Sequence, residues 1–239
     1  MVFKPNGLGI ALHFENLSFS YDGDKPILKN INLAILPGQK VSIMGAEASG
    51  KSTLMELITG SFQQQDGALL VNGIPIGNYK PETYRKKIGV FYHDQDVFSG
   101  TLKDNLTMGD PDIDVNELMS LSEVLGLQSF FRSLPEGFDT HLQPTGKGLS
   151  SIIAKKILLL RAFAGRPELL ILDEPFETAG GEHCENIASY LAGLSNTTVV
   201  VITGNLDFAR KCDQVVVMEK GTIKKSGPAP LILQQEGKM

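Results

Sequence analysis

Residues 45–53 read GAEASGKST, the pattern GxxxxGK[ST]. They lie between a short β-branched run at residues 40–44 and a stretch whose apolar residues recur at helical spacing. That context gives the pattern a physical meaning. Main-chain N–H groups of a glycine-bearing turn wrap anionic oxygens, and the helix that follows adds the partial positive charge of its N-terminus. Lys51 neutralises β and γ phosphate oxygens, and Ser52 offers a hydroxyl to Mg²⁺. Gly45, Ala46, Glu47, Ala48, Ser49, Gly50, Lys51, Ser52 and Thr53 thus form a candidate cradle for a nucleoside triphosphate. The bare pattern arises by accident in about one chain in a hundred of this length, and the strand–helix context lowers that further.

The natural partner of such a cradle is a buried strand that ends in carboxylates. Residues 168–174, ELLILDE, read as that strand, delivering Asp173 and Glu174 to its C-terminal end, where ligands of α/β sheets collect. Asp173 can hold Mg²⁺ through water. Glu174 can orient or deprotonate an attacking water, an effect worth about 10²- to 10⁴-fold. Without the phosphate loop, both would read equally well as a solvated strand end.

The elements that must position these groups follow from pattern. The stretch at residues 12–21 alternates as a half-buried strand and is expected to pair with residues 27–35. Asn72-Gly73 within residues 67–76 is a hairpin signal, and residues 87–92 read as a further strand. Residues 100–151 change to helical patterns punctuated by prolines, as an inserted helical lobe would. A helix then runs to Arg161. After the ELLILDE strand come a helix near residues 182–192, the strand TVVVIT, a helix near residues 207–211 and the strand QVVVME. Strands alternating with helices imply parallel βαβ units. Residues 226–239 read as a fraying end.

Composition narrows the function classes. With 22 Lys and Arg against 27 Asp and Glu the formal charge is −5, so no basic surplus points to nucleic acid. Apolar residues at 42% and charged ones at 21% fit an ordinary folded chain of 239 residues. The apolar runs fall far short of the ~20 residues that cross a bilayer, and the start carries no signal-peptide pattern. Any membrane role is expected to come through a partner. Cys184 and Cys212 share no metal-ligand spacing and read as buried fillers; His13, His141 and His183 read as packing or surface residues. Lys155-Lys156 and Lys224-Lys225 read as solvated faces, and Phe130-Phe131 as core of the lobe rather than a docking ridge.

Over nearly its whole length the chain resembles the nucleotide-binding domain of ATP-binding cassette (ABC) transporters, particularly of the exporter type. The resemblance rests on ordered motifs: FENLSFSY followed by ILKNINLAILPGQKVSIMG, then SGTLKDNL at residues 99–106, then GLSSIIAKKILLLRAFAGRPELLILDEP. It implies a P-loop NTPase (RecA-like) α/β fold, a parallel sheet core with an N-terminal antiparallel β subdomain and an inserted α-helical subdomain. The domain would span residues 10–239, with 10–98 and 155–239 as the nucleotide-binding core and 99–154 as the helical part. It also implies that Tyr21 stacks on adenine, that residues 99–106 face a transmembrane domain, and that Ser150 of a signature motif closes the site of a second nucleotide-binding domain, in a homo- or heterodimer. The chain would then sit in the cytoplasm, peripheral to the inner (plasma) membrane.

Five motifs depart from the family pattern. His93 occupies the Q-loop glutamine position, with Gln95 two residues on, so His93 becomes the candidate for the water and Mg²⁺ contact made there. The family's LSGGQ is Leu149, Ser150, Ser151, Ile152 and Ile153, which puts a β-branched side chain where close approach to phosphate is wanted. Gly204 stands at the switch histidine, and losing one such preorganised contact costs about 10² to 10³ in rate. The D-loop, FETAGG at residues 176–181, lacks its aspartate. Ala48 also replaces a usual glycine within the cradle.

Retention of Tyr21, Lys51, Ser52, Asp173 and Glu174 beside these losses implies ATP binding with weak turnover. Two readings follow: an ATP-binding domain or subunit of an exporter, or the degenerate regulatory half of an asymmetric pair. A third, a soluble ABC-type ATPase for DNA or translation work, is disfavoured by SGTLKDNL and the negative charge.

Overall fold

The computed structural model describes residues 1–4, 7–23, 25–62, 66–179 and 183–236. Its N-terminal strands are β1 (Leu12–Phe19), β2 (Leu28–Ile35) and β3 (Lys40–Met44), after which α1 (Lys51–Ile58) begins directly beyond the phosphate loop. The hairpin β4 (Asp66–Val71) and β5 (Ile74–Pro75) turns at Asn72 and Gly73, both with positive φ as a tight two-residue turn demands. Next come α2 (Pro81–Arg85), β6 (Ile88–Phe91) and β7 (Gly100–Thr101). The helices α3 (Leu102–Thr107), α4 (Val115–Val124) and α5 (Gln128–Ser133) follow, then β8 (His141–Leu142) and α6 (Ser151–Phe163). The last part alternates β9 (Leu169–Asp173), α7 (Pro175–Ala179), α8 (Cys184–Gly193), β10 (Thr198–Ile202) and α9 (Leu206–Lys211). It closes with β11 (Gln214–Glu219), β12 (Thr222–Pro228) and α10 (Ala229–Glu236).

The six-stranded sheet runs β12-β11-β3-β10-β9-β6, parallel except for β12, and a separate antiparallel sheet runs β2-β1-β4-β5. Burial on both faces explains why β9 and β10 read as unbroken apolar runs. Leu169, Ile171, Val200 and Ile202 pack into one hydrophobic cluster with α1 and the antiparallel sheet. Their neighbours Leu170, Leu172, Val199 and Val201 pack into the other, with α6, α8 and the helical lobe. Strand periodicity of two thus feeds two cores from one strand. The chain is an α/β P-loop fold with mixed pairing and helical insertions, as expected.

Three expectations need correction, and one element had no sequence signal. Residues 226–236 are not a frayed end: β12 pairs antiparallel with β11, and α10 buries Ala229 and Ile232 against Val215; residues 237–239 lie outside the described residues. An edge strand needs pairing but no apolar alternation, so TIKKSGP carried no signal. Lys156 is only 6% exposed, because α6 is covered by β6 on one side and α3 and α4 on another; the Lys155-Lys156 pair is not a solvated face. Cys212 is buried, with its thiol pushed up to about 12 by desolvation, but Cys184 is only half-buried. The short β7–β8 ladder, which ties the two ends of the helical insertion together, had no sequence signal at all. Phe131 is buried in the lobe as expected, and its ring packs against Phe138.

Candidate functional site

The loop between β3 and α1 is built on its glycines. A Cβ on Gly45 would lie 2.4 Å from the Met218 carbonyl oxygen, so β11 presses the loop's entry and only glycine fits. Gly50, with φ 98°, is the N-cap of α1 and contributes no side chain, which leaves the first turn's N–H groups without a side-chain cap. Ala48 also sits at positive φ, 57°, which explains why a glycine suits this position; a methyl group there costs about 1 kcal/mol in backbone strain. Lys51 is folded back: its Nζ donates to the carbonyl oxygens of Gly45 and Ala46, both at 2.8 Å, and lies 3.3 Å from Ser49 Oγ. An ammonium held by neutral carbonyls inside a ring of amides is poised to exchange them for an anion. Ala46, Glu47 and Ser52 are exposed, whereas Ser49 and Thr53 are buried beneath the loop.

Tyr21 lies just past β1 at the rim of α1. Its hydroxyl donates to Glu56 Oε2 at 2.5 Å and lies 3.2 Å from Thr53 Oγ1. The ring meets Phe19 and Phe62 edge-on at 5.0 and 5.2 Å and stays 46% exposed. The helix that carries Lys51 therefore also tethers the candidate adenine platform, through Thr53 and Glu56; the sequence singled out Thr53 only as part of the cradle, and Glu56 not at all.

The carboxylates come from the next strands. Asp173 ends β9, level with Ile202 of β10 and one step past the Leu172–Phe91 pair with β6. Its carboxyl is pushed above the usual range by burial, while His93 and Lys51 pull it back down. His93 and Lys51, from two other segments of the chain, therefore lie near enough to act on the Asp173 carboxyl. Glu174 follows at φ 46°, its N–H bonded to the Ile202 carbonyl at 2.9 Å. Its carboxyl is also raised by burial, and it accepts hydrogen bonds from the Thr203 hydroxyl and the Gly204 N–H. Gly204 therefore stands directly beside Glu174. A Cβ built on it meets nothing within 4 Å, so space for a side chain exists and none fills it. Thr203 was not legible as a partner of Glu174; only the parallel register of β9 and β10 brings them together.

Divalent-cation chemistry fits these residues. Ser52 and Asp173 supply oxygen donors of the kind Mg²⁺ takes, and His93 Nδ1 is buried with no hydrogen-bond partner. Among the described residues no group of three His, Cys, Asp or Glu could hold a metal alone, so phosphate oxygens have to complete such a site. Ser150 lies apart, at the start of α6, where it caps the helix by accepting the Ile153 N–H at 3.2 Å; Ile152 beside it is 50% exposed. Of residues 176–181, the last two lie outside the described residues.

A second feature is a cleft of about 660 Å³ between β6, α3 and α6, bordered by Tyr92, Gln95, Leu106, Met108, Asp110 and Arg161. It touches the end of residues 99–106 but not the phosphate loop. No helix among the described residues is long and apolar enough to cross a membrane.

The ABC transporter family model matches residues 28–177. The chain is 31% identical over 240 residues to the putative multidrug export ATP-binding/permease protein YgaD of Bacillus subtilis, covering 98% of this chain and 41% of that protein. It is 32% identical over 229 residues to the cyclolysin secretion/processing ATP-binding protein CyaB of Bordetella pertussis, covering 95% of this chain and 32% of that one. In both cases it spans well under half of the relative's length. A solved bacterial Atm1-family ABC exporter with ATP bound superposes with a TM-score of 0.90 at 23% identity, over 99% of this chain and 41% of that one. With more than half of its residues inside the family match and a phosphate loop facing the carboxylates of β9, the chain belongs to the ABC transporter family.

Proposed function

We propose that this chain is the ATP-binding domain of an exporter-type ABC transporter, coupling ATP binding and weak hydrolysis to a transmembrane partner. The observation that carries this reading is the convergence of Lys51, Asp173, His93 and Glu174 at one end of the parallel sheet. In this reading the triphosphate lies in the cradle of residues 45–53, Lys51 leaves its carbonyl partners for the β and γ oxygens, and Tyr21 carries the adenine. Ser52 and Asp173 would hold Mg²⁺, which when bound would neutralise charge on the phosphates. Glu174 takes a proton from the attacking water and is oriented for that by Thr203. At Gly204 no side chain reaches toward the γ-phosphate, and this slows cleavage.

The partners follow from the same reading. A second nucleotide-binding domain would meet the Ser150 edge, and the transmembrane partner would meet residues 99–106 together with the adjoining cleft. The chain then works in the cytoplasm, peripheral to the inner (plasma) membrane. Equilibrium binding of a fluorescent ATP analogue tests the reading: binding is expected in the wild type and strongly reduced in Lys51→Ala. Equal binding by both proteins would overturn it.

The second reading, a regulatory half that holds ATP while a competent partner hydrolyses its own, is favoured by two observations. Space beside Glu174 is open at Gly204, and Ile152 stands exposed where a partner's phosphate would approach. Pull-down from membranes separates the two, since an asymmetric pair brings down a second domain with an intact signature and switch histidine.

A further inference from the structure

Two polar side chains that border the cleft between β6, α3 and α6 are left unsatisfied. Arg161 of α6 donates through Nη1 to the Met108 sulfur at 3.6 Å, while its Nη2 is shut off from solvent with no hydrogen-bond partner. Burial disfavours the guanidinium charge, and no carboxylate among the described residues offsets that. Gln95 borders the same cleft, and its buried Oε1 is likewise bonded to nothing. Native interiors leave few such groups, and a charged donor left this way costs more than a neutral one. A thioether is a weak acceptor on a flexible side chain, and Met108 is 64% exposed. It therefore covers Arg161 without satisfying it, and a better acceptor can displace it.

The charges around the cleft say what that acceptor is. Arg85, Lys86 and Arg161 border it, against Glu82 and Asp110. Arg85 already donates to the Gly60 carbonyl, and Asp110 already accepts the Asp112 N–H. On a chain of net charge −5 the cleft thus leans positive, and its buried guanidinium is the group in need of an anion. A carboxylate matches the planar fork of arginine, whereas Gln95 Oε1 asks for a donor. The first turn of a helix supplies both, because its leading N–H groups lack partners within the helix and acidic side chains are favoured beside them. One helical turn with its side chains takes up roughly 400 Å³, and the cleft offers about 660 Å³. We infer that the cleft docks a helix start of the transmembrane partner, whose acidic side chain pairs with Arg161 while a leading N–H bonds Gln95. This pairing rests on the transporter reading above, which puts the partner at the cleft, and adds the chemistry of the contact.

The probe is a lactam-stapled, fluorescently tagged Ala/Leu helix of about three turns with Asp-Glu in its first turn, set beside the same peptide with that pair in its last turn. Anisotropy titration of the full chain is expected to give a Kd about tenfold lower for the first-turn peptide, a ratio that falls to about one in Arg161→Met and shrinks in Gln95→Met. Arg161→Met fills similar space without the charge, so it should also raise Tm of the free chain by roughly 3 °C, whereas loss of an arginine that merely holds the fold would lower it. Equal affinity for the two peptides, binding of neither, displacement by equimolar acetate, or a lowered Tm in Arg161→Met would overturn the proposal. A fluorescent ATP analogue titrated into the same samples keeps the two readings apart. Lys51-dependent binding of the analogue beside a failed peptide test leaves the nucleotide reading standing, and absence of that binding takes it down as well.

Discussion

The two ends of the proposed triphosphate site differ in what the chain has kept. Around the β-phosphate end, every group needed to grip an anion is in place: a glycine-entered loop, an α1 start without a side-chain cap, and Lys51 within 2.8 Å of the loop's own carbonyls. At the end proposed for the γ-phosphate, Glu174 faces Gly204, whose side-chain space is open, and in the proposed reading His93 takes the place of a family amide. The comparison teaches that gripping and cutting are separable. In the proposed reading, grip rests on backbone geometry locked by packing under β11, whereas cutting rests on a few side chains that can be lost without disturbing the fold.

The largest effect belongs to the gripping end. Lys51→Ala removes a charge-assisted contact and should weaken ATP binding by about 2–4 kcal/mol, read by equilibrium titration with the fold checked by circular dichroism. At the cutting end, Gly204→His puts a polar side chain into space that a Cβ already fits, so steady-state phosphate release should rise by about 10- to 100-fold. Adding Glu174→Gln should cancel that gain. A rise that persists in the double variant would mean that Glu174 is not the group that handles water.

A subtler prediction concerns pH. Asp173 and Glu174 both have carboxyls raised by burial, so the folded chain binds protons more tightly than the unfolded one. Between the unfolded carboxylate pKa near 4 and the raised folded values, stability contributed by these groups falls as pH rises. Glu174→Gln should therefore stabilise the nucleotide-free chain at neutral pH and flatten that part of its melting-temperature profile. A steeper profile in the variant would contradict the burial argument. The smallest effect is expected at Ala48→Gly, where relief of left-handed strain exceeds the entropy cost by less than about 1 kcal/mol, raising Tm by roughly 2 °C.

What could be read in advance divides along the same line. The phosphate loop, the β9 carboxylates and the Asn72-Gly73 hairpin are contiguous in sequence, and each has a backbone reason for its residue types. The Thr203 bond to Glu174, the Glu56 tether on Tyr21 and the cleft beside Arg161 join residues far apart in the chain, and only strand register or helix packing brings them together. The C-terminal β12 and α10 were missed for a different reason: a solvent-facing edge strand satisfies its backbone by pairing, so it leaves almost no hydrophobic pattern to find.

The central claim, grip without efficient cleavage, can be tested by loading the purified chain with radiolabelled ATP and Mg²⁺, filtering at intervals, and separating the retained nucleotide by chromatography. The expected result is label retained in a Lys51-dependent manner and remaining ATP over many minutes. Rapid appearance of ADP that depends on Glu174, or no retained nucleotide, would contradict it.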